Sequence, residues 1–257
     1  MGNTVKFGDW ISRGFDLLRK DWGTWALMGS LYFGPLVVAL IMLYASIFAL
    51  PFLGKHMDPD VALPGMVMFG LLVLGIGLFM LFLLLGMYLT ARKQLKGESI
   101  SVSDAFSGGG HFFTVLVICL VYVFAACIGF VFCVFPAFIV GGFFYLAIPI
   151  AVYEGLGPME AIQKSFSIAK KDWLMFTLFA LVAQIIAQVG LYACYIPIVF
   201  SIGLQFTFAA VAYEDCVNPA AANDAPTFTG AVKYCTTCGK QLRSETNFCD
   251  NCGAAQV

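Results

Sequence analysis

The chain has 257 residues, of which 61% are hydrophobic and 11% charged, with a mean hydropathy of +0.90. An ordinary globular domain carries about half apolar and about a quarter charged residues, so this composition excludes that class. Net charge is −1 and the pI is near 6.1, and no global positive excess points to nucleic acid.

The first element is predicted over residues 7–22. Phe7, Ile11, Phe15, Leu18 and Trp22 recur at three- and four-residue spacing, the pattern of an amphipathic helix. Residues 9–22 (DWISRGFDLLRKDW) reappear at an offset of 151 as EAIQKSFSIAKKDW. Ile11 falls on Ile162, Phe15 on Phe166, and Lys20-Asp21-Trp22 on Lys171-Asp172-Trp173. Basic residues fall on basic residues, and the pair reads as an internal repeat. In the second copy Pro158 suits a first helical turn, and Glu160 complements the positive end of the helix dipole. Each copy ends in Trp and runs into a long apolar stretch, so both are expected to lie along a membrane interface. Trp22, Trp173, Lys20 and Lys171 are the expected interface anchors.

Six apolar spans are predicted, over about 24–50, 65–90, 112–135, 137–153, 173–196 and 198–213. Tight breaks at Phe135-Pro136 and Ile196-Pro197 make helical hairpins of spans three and four and of spans five and six. Pro35 and Pro149 are expected to kink the spans that contain them. The connection from Arg92 to His111 holds a weaker third copy. There Ser103-Asp104-Ala105-Phe106 opens like a helix, and Gly108-Gly109-Gly110 is expected to cut it short. The expected fold is an all-α polytopic membrane protein, with three repeats of an interfacial amphipathic helix plus a helical hairpin, the repeats starting near 7, 100 and 157. No removable signal peptide is read at the start, so the chain is expected to insert whole.

Four basic residues precede span one, three lie at Arg92, Lys93 and Lys96, three at Lys164, Lys170 and Lys171, and three follow span six. Lys55 alone falls in a loop on the other side. This asymmetry is expected to place both termini in the cytoplasm, with the chain in the cell membrane. No Asp, Glu, Lys or Arg lies well inside a span, which weighs against an ion-coupled transporter. Gln184, Gln188 and Gln205 are the intramembrane polar residues. They can serve as hydrogen bonds between helices or as a polar substrate site, and the first is the blander reading. Tyr153-Glu154 and Tyr213-Glu214 stand at equivalent hairpin exits and read as interface anchors. Cys119, Cys127, Cys133, Cys194 and Cys216 have no ligand partner at useful spacing and read as small buried hydrophobes.

Residues 217–232 have no hydrophobic period and read as a flexible tether of roughly 20 Å. Beyond them lie Cys235-Thr236-Thr237-Cys238-Gly239 and Cys249-Asp250-Asn251-Cys252-Gly253. Two C-x2-C pairs, each followed by Gly, are the pattern of a tetrahedral zinc site. Cys235, Cys238, Cys249 and Cys252 are the expected ligands of one structural zinc ion. Paired disulfides are the alternative, disfavoured by a reducing cytoplasm. Tyr234, Leu242 and Phe248 would supply the small core such a module needs beside its metal.

Residues 234–253 resemble the short cytoplasmic zinc-ribbon module, which implies a small two-knuckle β fold over 233–257. GLGPMEAIQKSFSIAKKDW and KGESISVSDAF give residues 1–215 a resemblance to uncharacterised prokaryotic multi-pass families. These are related to the membrane domain attached to some glycerophosphodiester phosphodiesterases. The catalytic domain of those enzymes has no counterpart here, and no catalytic residue is implied. Three functions compete. The first is a membrane adaptor whose ribbon docks a cytoplasmic protein, in a chain able to form a homo-oligomer. The second is a protein that transports or handles a small solute or lipid. The third is nucleic-acid binding by the ribbon, ranked last because four thiolates and one zinc leave it near −1. No enzyme is expected.

Overall fold

The computed structural model describes residues 5–53, 59–132, 134–192, 198–217, 233–234 and 241–242. The chain divides into two units, Met1–Cys216 and Val217–Val257.

In the first unit, α1 (Phe7–Lys20) is followed by two long helices, α2 (Trp22–Leu53) and α3 (Pro59–Leu95). A 3₁₀ segment (Val102–His111) leads into α4 (Phe112–Phe132), α5 (Val134–Phe144) and α6 (Ala147–Glu154). Then come α7 (Pro158–Ala169), a 3₁₀ turn (Lys170–Asp172), α8 (Trp173–Tyr192) and α9 (Ile198–Val217). Five stretches among the described residues are long and apolar enough to cross a membrane: Trp22–Met42, Val67–Leu95, Val102–Val131, Pro136–Glu154 and Pro158–Gly190. The sixth expected span corresponds to α9, whose apolar run is broken by Gln205 and closed by Glu214 and Asp215. Large apolar side chains stand exposed along α3 and α4, among them Met68, Leu71, Phe113, Phe124 and Val131. A surface of that extent needs an apolar neighbour.

The two segments of similar sequence have the same local form. Each is a short helix, then a break over Asp21 or over Lys170–Asp172, then a long helix that starts on its Trp. In α7, Pro158 opens the first turn and the Gly157 N–H donates to Glu160 Oε2 at 3.4 Å.

The buried stripe of α1 differs from the expected one. Trp10, Gly14 and Leu17 face the protein, while Phe15 and Trp22 are exposed. The helix has apolar residues on two faces, and the bundle takes the one that carries a glycine. Phe208 lies so close that a Cβ on Gly14 would stand 2.2 Å from its ring. At the matching positions α7 buries Ala161, Ser165 and Ile168.

The third copy also departs from expectation. It starts two residues earlier, at Ser101, where the N–H donates to Asp104 Oδ2 at 2.8 Å, and it continues as a 3₁₀ helix through all three glycines. Gly108 lets the segment lie against Leu85, while Gly86 of α3 lets the Ala105 backbone approach. Side chains at either glycine would hold the two apart, so these glycines permit the packing they were expected to interrupt.

The α4–α5 hairpin closes where Gly129 meets Ala137. Span four is two helices, with a turn at Tyr145 and Leu146. Pro149 lacks an N–H for the Tyr145 carbonyl, and its ring crowds that carbonyl, so the helix breaks one turn before the proline. By contrast α2 runs on as helix past Pro35.

The core gathers on α9. Leu204, Phe206, Phe208, Val211 and Tyr213 are buried there, and Gly203 admits Leu18 and Trp25. Trp25 stacks on Phe206 at 6.4 Å, and Tyr88 meets the same ring edge-on at 4.9 Å.

In the second unit, β1 (Lys233–Tyr234) pairs antiparallel with β2 (Gln241–Leu242), Lys233 opposite Leu242 and Tyr234 opposite Gln241.

Candidate functional site

A cavity of about 340 Å³ lies between α3, α4, α5, α6, α8 and α9. Its walls are mostly apolar and aromatic, with Tyr88, Tyr122 and Tyr145 among them. Gln184 of α8 and Gln205 of α9 also line it, whereas Gln188 does not. Among the described residues, the side chains of Gln184 and Gln205 make no hydrogen bond. Gln184 is exposed, and the cavity meets the surface there.

Tyr145 comes to the cavity because of the break that Pro149 causes. Its ring packs edge-on against Phe179 at 5.5 Å, and its hydroxyl is buried without a hydrogen-bond partner. A buried phenol normally finds a partner, so an orphan hydroxyl beside a cavity marks a place where one can be supplied. Cys119 also lines the cavity. Cys127 is exposed rather than buried, and Cys133 and Cys194 lie outside the described residues.

The three hairpin exits meet at a polar cluster. Arg92 at the end of α3 donates through Nη1 to the Tyr153 carbonyl at the end of α6. Its guanidinium lies 4.9 Å over the Tyr153 ring and 6.0 Å over that of Tyr213 near the end of α9. The Tyr153 hydroxyl donates to the Tyr88 carbonyl at 2.8 Å, and the Tyr213 hydroxyl to Glu154 Oε1 at 3.0 Å. Sequence reasoning placed Glu154 and Glu214 as isolated anchors. Instead Glu154 accepts Lys164 Nζ at 2.6 and 2.7 Å.

The segments α1, Val102–His111 and α7 are each clasped by an ion pair to the end of a longer helix or of α6. Lys164 of α7 meets Glu154 of α6, and Asp104 of the 3₁₀ segment meets Lys93 of α3 at 3.1 Å. Arg13 of α1 meets Asp215 of α9 at 2.8 Å, and Trp10 Nε1 donates to the same carboxylate at 2.8 Å. Burial works against the charge of Asp104, yet the Ser101 amide and Lys93 hold its carboxyl below the usual range.

Gln94 is a functional-looking polar residue that sequence reasoning missed. It is buried, accepts from Trp25 Nε1 at 2.9 Å and donates to the Leu17 carbonyl at 2.8 Å. It fixes the α1–α2 corner against the end of α3. All its hydrogen bonds are internal, which makes it a structural tie.

The expected interface anchors Trp22, Trp173, Lys20 and Lys171 are all exposed, beside the two helix breaks. The expected metal ligands Cys235, Cys238, Cys249 and Cys252 lie outside the described residues. The first two stand in sequence between the paired strands β1 and β2, on the six-residue connection 235–240. C-x2-C-G between two paired strands in sequence, with C-x2-C-G again at 249–253, fits in spacing the two donor pairs of a thiolate zinc site.

Residues 234–256 match the zinc-ribbon domain family. No curated protein and no solved structure matches the chain. The family match lies wholly in the tail. The comparisons give no support to the resemblance of residues 1–215 to the membrane domain attached to some glycerophosphodiester phosphodiesterases. The chain therefore joins membrane-length apolar helices to a zinc-ribbon tail.

Proposed function

We propose that this protein is an integral membrane adaptor whose zinc ribbon docks a cytoplasmic protein partner. The observation that carries the reading is the match of residues 234–256 to a zinc-ribbon domain on a chain otherwise made of membrane-length helices. In this reading the chain crosses the bilayer six times, with α9 as the last crossing and both termini in the cytoplasm. The lopsided placement of lysine and arginine supports that topology. Cys235, Cys238, Cys249 and Cys252 hold one zinc ion. Bound zinc supplies structure only, because four thiolates leave no coordination position open. A tether of the length of residues 217–232 has a root-mean-square span of roughly 20 Å when it behaves as a coil. A small rigid module on a short leash suits protein docking.

The test is crosslinking in cells followed by pull-down, with the full chain and with residues 217–257 deleted. Partners that disappear on deletion support the adaptor reading, and an unchanged partner list overturns it. A second reading, the handling of a small solute or lipid within the membrane, is favoured by one observation. That observation is the cavity at Gln184 and Gln205.

A further inference from the structure

We propose that the cavity between α3, α4, α5, α6, α8 and α9 binds one uncharged membrane lipid, recognised through hydroxyl or carbonyl oxygens of its head by Tyr145, Gln184 and Gln205. This goes beyond the adaptor reading and stands independently of the ribbon.

Three features define the occupant. The first is charge: among the described residues, no Asp, Glu, Lys, Arg or His lines the cavity. A phosphate or ammonium head would enter without a counter-charge, at a cost that buried ions meet only when paired. The second is hydrogen bonding. The Tyr145 hydroxyl is buried without a partner, and the amides of Gln184 and Gln205 are free among the described residues. A phenol and two amides offer donors for a carbonyl, and the amide oxygens accept from a hydroxyl. An apolar occupant would leave all of them unsatisfied.

Third is the place. Gln184 stands eleven residues beyond Trp173 at the start of α8, about 17 Å along the helix at 1.5 Å per residue. Gln205 stands twelve residues before the end of α9. Both amides thus lie near the middle of a hydrocarbon core about 30 Å thick. A molecule reaching them comes through the bilayer, and the exposed Gln184 is on its way in. A volume of about 340 Å³ falls at the lower end of small-molecule sites. It accommodates a lipid head and the first part of its chains, with the remainder left among the bilayer chains.

Pro149 makes this arrangement possible. By breaking span four it frees the Tyr145 region from regular helix.

The experiment uses the full chain in nanodiscs, titrated with dioctanoylglycerol, a short-chain quinone and dioctanoyl phosphatidate. Saturable binding of dioctanoylglycerol or of the quinone is expected, and the better probe identifies the head as hydroxyl-ester or dicarbonyl. Tyr145→Phe and Gln205→Leu are each expected to weaken it about tenfold, the loss of one buried hydrogen bond. Gln188→Leu, outside the cavity, is expected to leave it unchanged and controls for folding together with thermal unfolding of each variant. Phosphatidate binding equal to that of the uncharged probes would overturn the proposal. So would saturable binding that survives both cavity substitutions in folded protein, or no saturable binding of either uncharged probe. Since the tail stays in place throughout, failure here leaves the adaptor reading untouched, and deletion of the tail leaves this site intact.

Discussion

Asp215 shows how one side chain can hold an end of the molecule. Its side chain is 3% exposed and takes bonds from Arg13 and Trp10, so the first helix is fastened to the last. Asp215→Asn keeps an acceptor for one donor but removes the charge opposite Arg13, which has Nη2 already unpartnered. Arg13 keeps only the more exposed Asp9 carboxylate at 3.5 Å, and loss of the buried charge-assisted bond costs about 2 kcal/mol. The expected result is a lower midpoint of thermal unfolding in detergent, without loss of helix content at low temperature. The clasp between Asp104 and Lys93 is expected to respond to pH. The folded-state pKa of Asp104 lies below its unfolded value, so the pair contributes fully above the ordinary carboxylate range. That contribution is lost as pH falls through the depressed folded value. Unfolding followed between about pH 6 and pH 3 is expected to show this loss, and Asp104→Asn to flatten it.

At the scale of elements, glycine decides where helices touch. Gly86 and Gly108 bring the 3₁₀ segment onto α3, and a Cβ on Gly86 would stand 1.8 Å from the Ala105 carbonyl oxygen. Gly86→Ala is therefore expected to destabilise the protein by about 1–3 kcal/mol. Gly75→Ala on the same helix meets nothing within 4 Å and serves as the comparison, expected to be neutral or slightly stabilising. Equal effects of the two in a thermal unfolding series would refute the packing argument. The same geometry explains why the third copy of the repeat was misread. Gly108-Gly109-Gly110 has poor helix propensity, but the closeness of α3 makes the missing side chains favourable there.

At the scale of the whole molecule, the first unit joins the ends of α3, α6 and α9 around Arg92, with α1, the 3₁₀ segment and α7 each clasped by an ion pair. The tail is a separate unit, and the metal is expected to govern it alone. One zinc per chain is expected by elemental analysis. A strong chelator, or Cys249→Ser, is expected to expose residues 233–257 to protease while the membrane unit keeps its unfolding midpoint. A fall of that midpoint on chelation would show that the two units depend on one another. Much of this plan is legible in sequence, because helix period, apolar length and C-x2-C spacing are local properties. The two interfacial helices, their Trp-led long helices and the metal motif all belong to that class.

Other features depend on contacts between distant residues. Periodicity could not select Trp10, Gly14 and Leu17 over Phe7, Ile11 and Phe15, since α1 offers two apolar faces and the contacts that bury one of them come from α8 and α9. Nor could it distinguish α9, buried by its neighbours, from helices whose apolar residues stand exposed, because protein interior and lipid select the same side chains. The sequence by itself determined that the chain is helical, apolar enough for a membrane and equipped with a zinc-ribbon pattern. Only the tertiary structure decided that Gln184 and Gln205 share a cavity with an unpartnered Tyr145. Residues about twenty to sixty positions apart along the chain meet only when the bundle closes, and no local pattern encodes that closure.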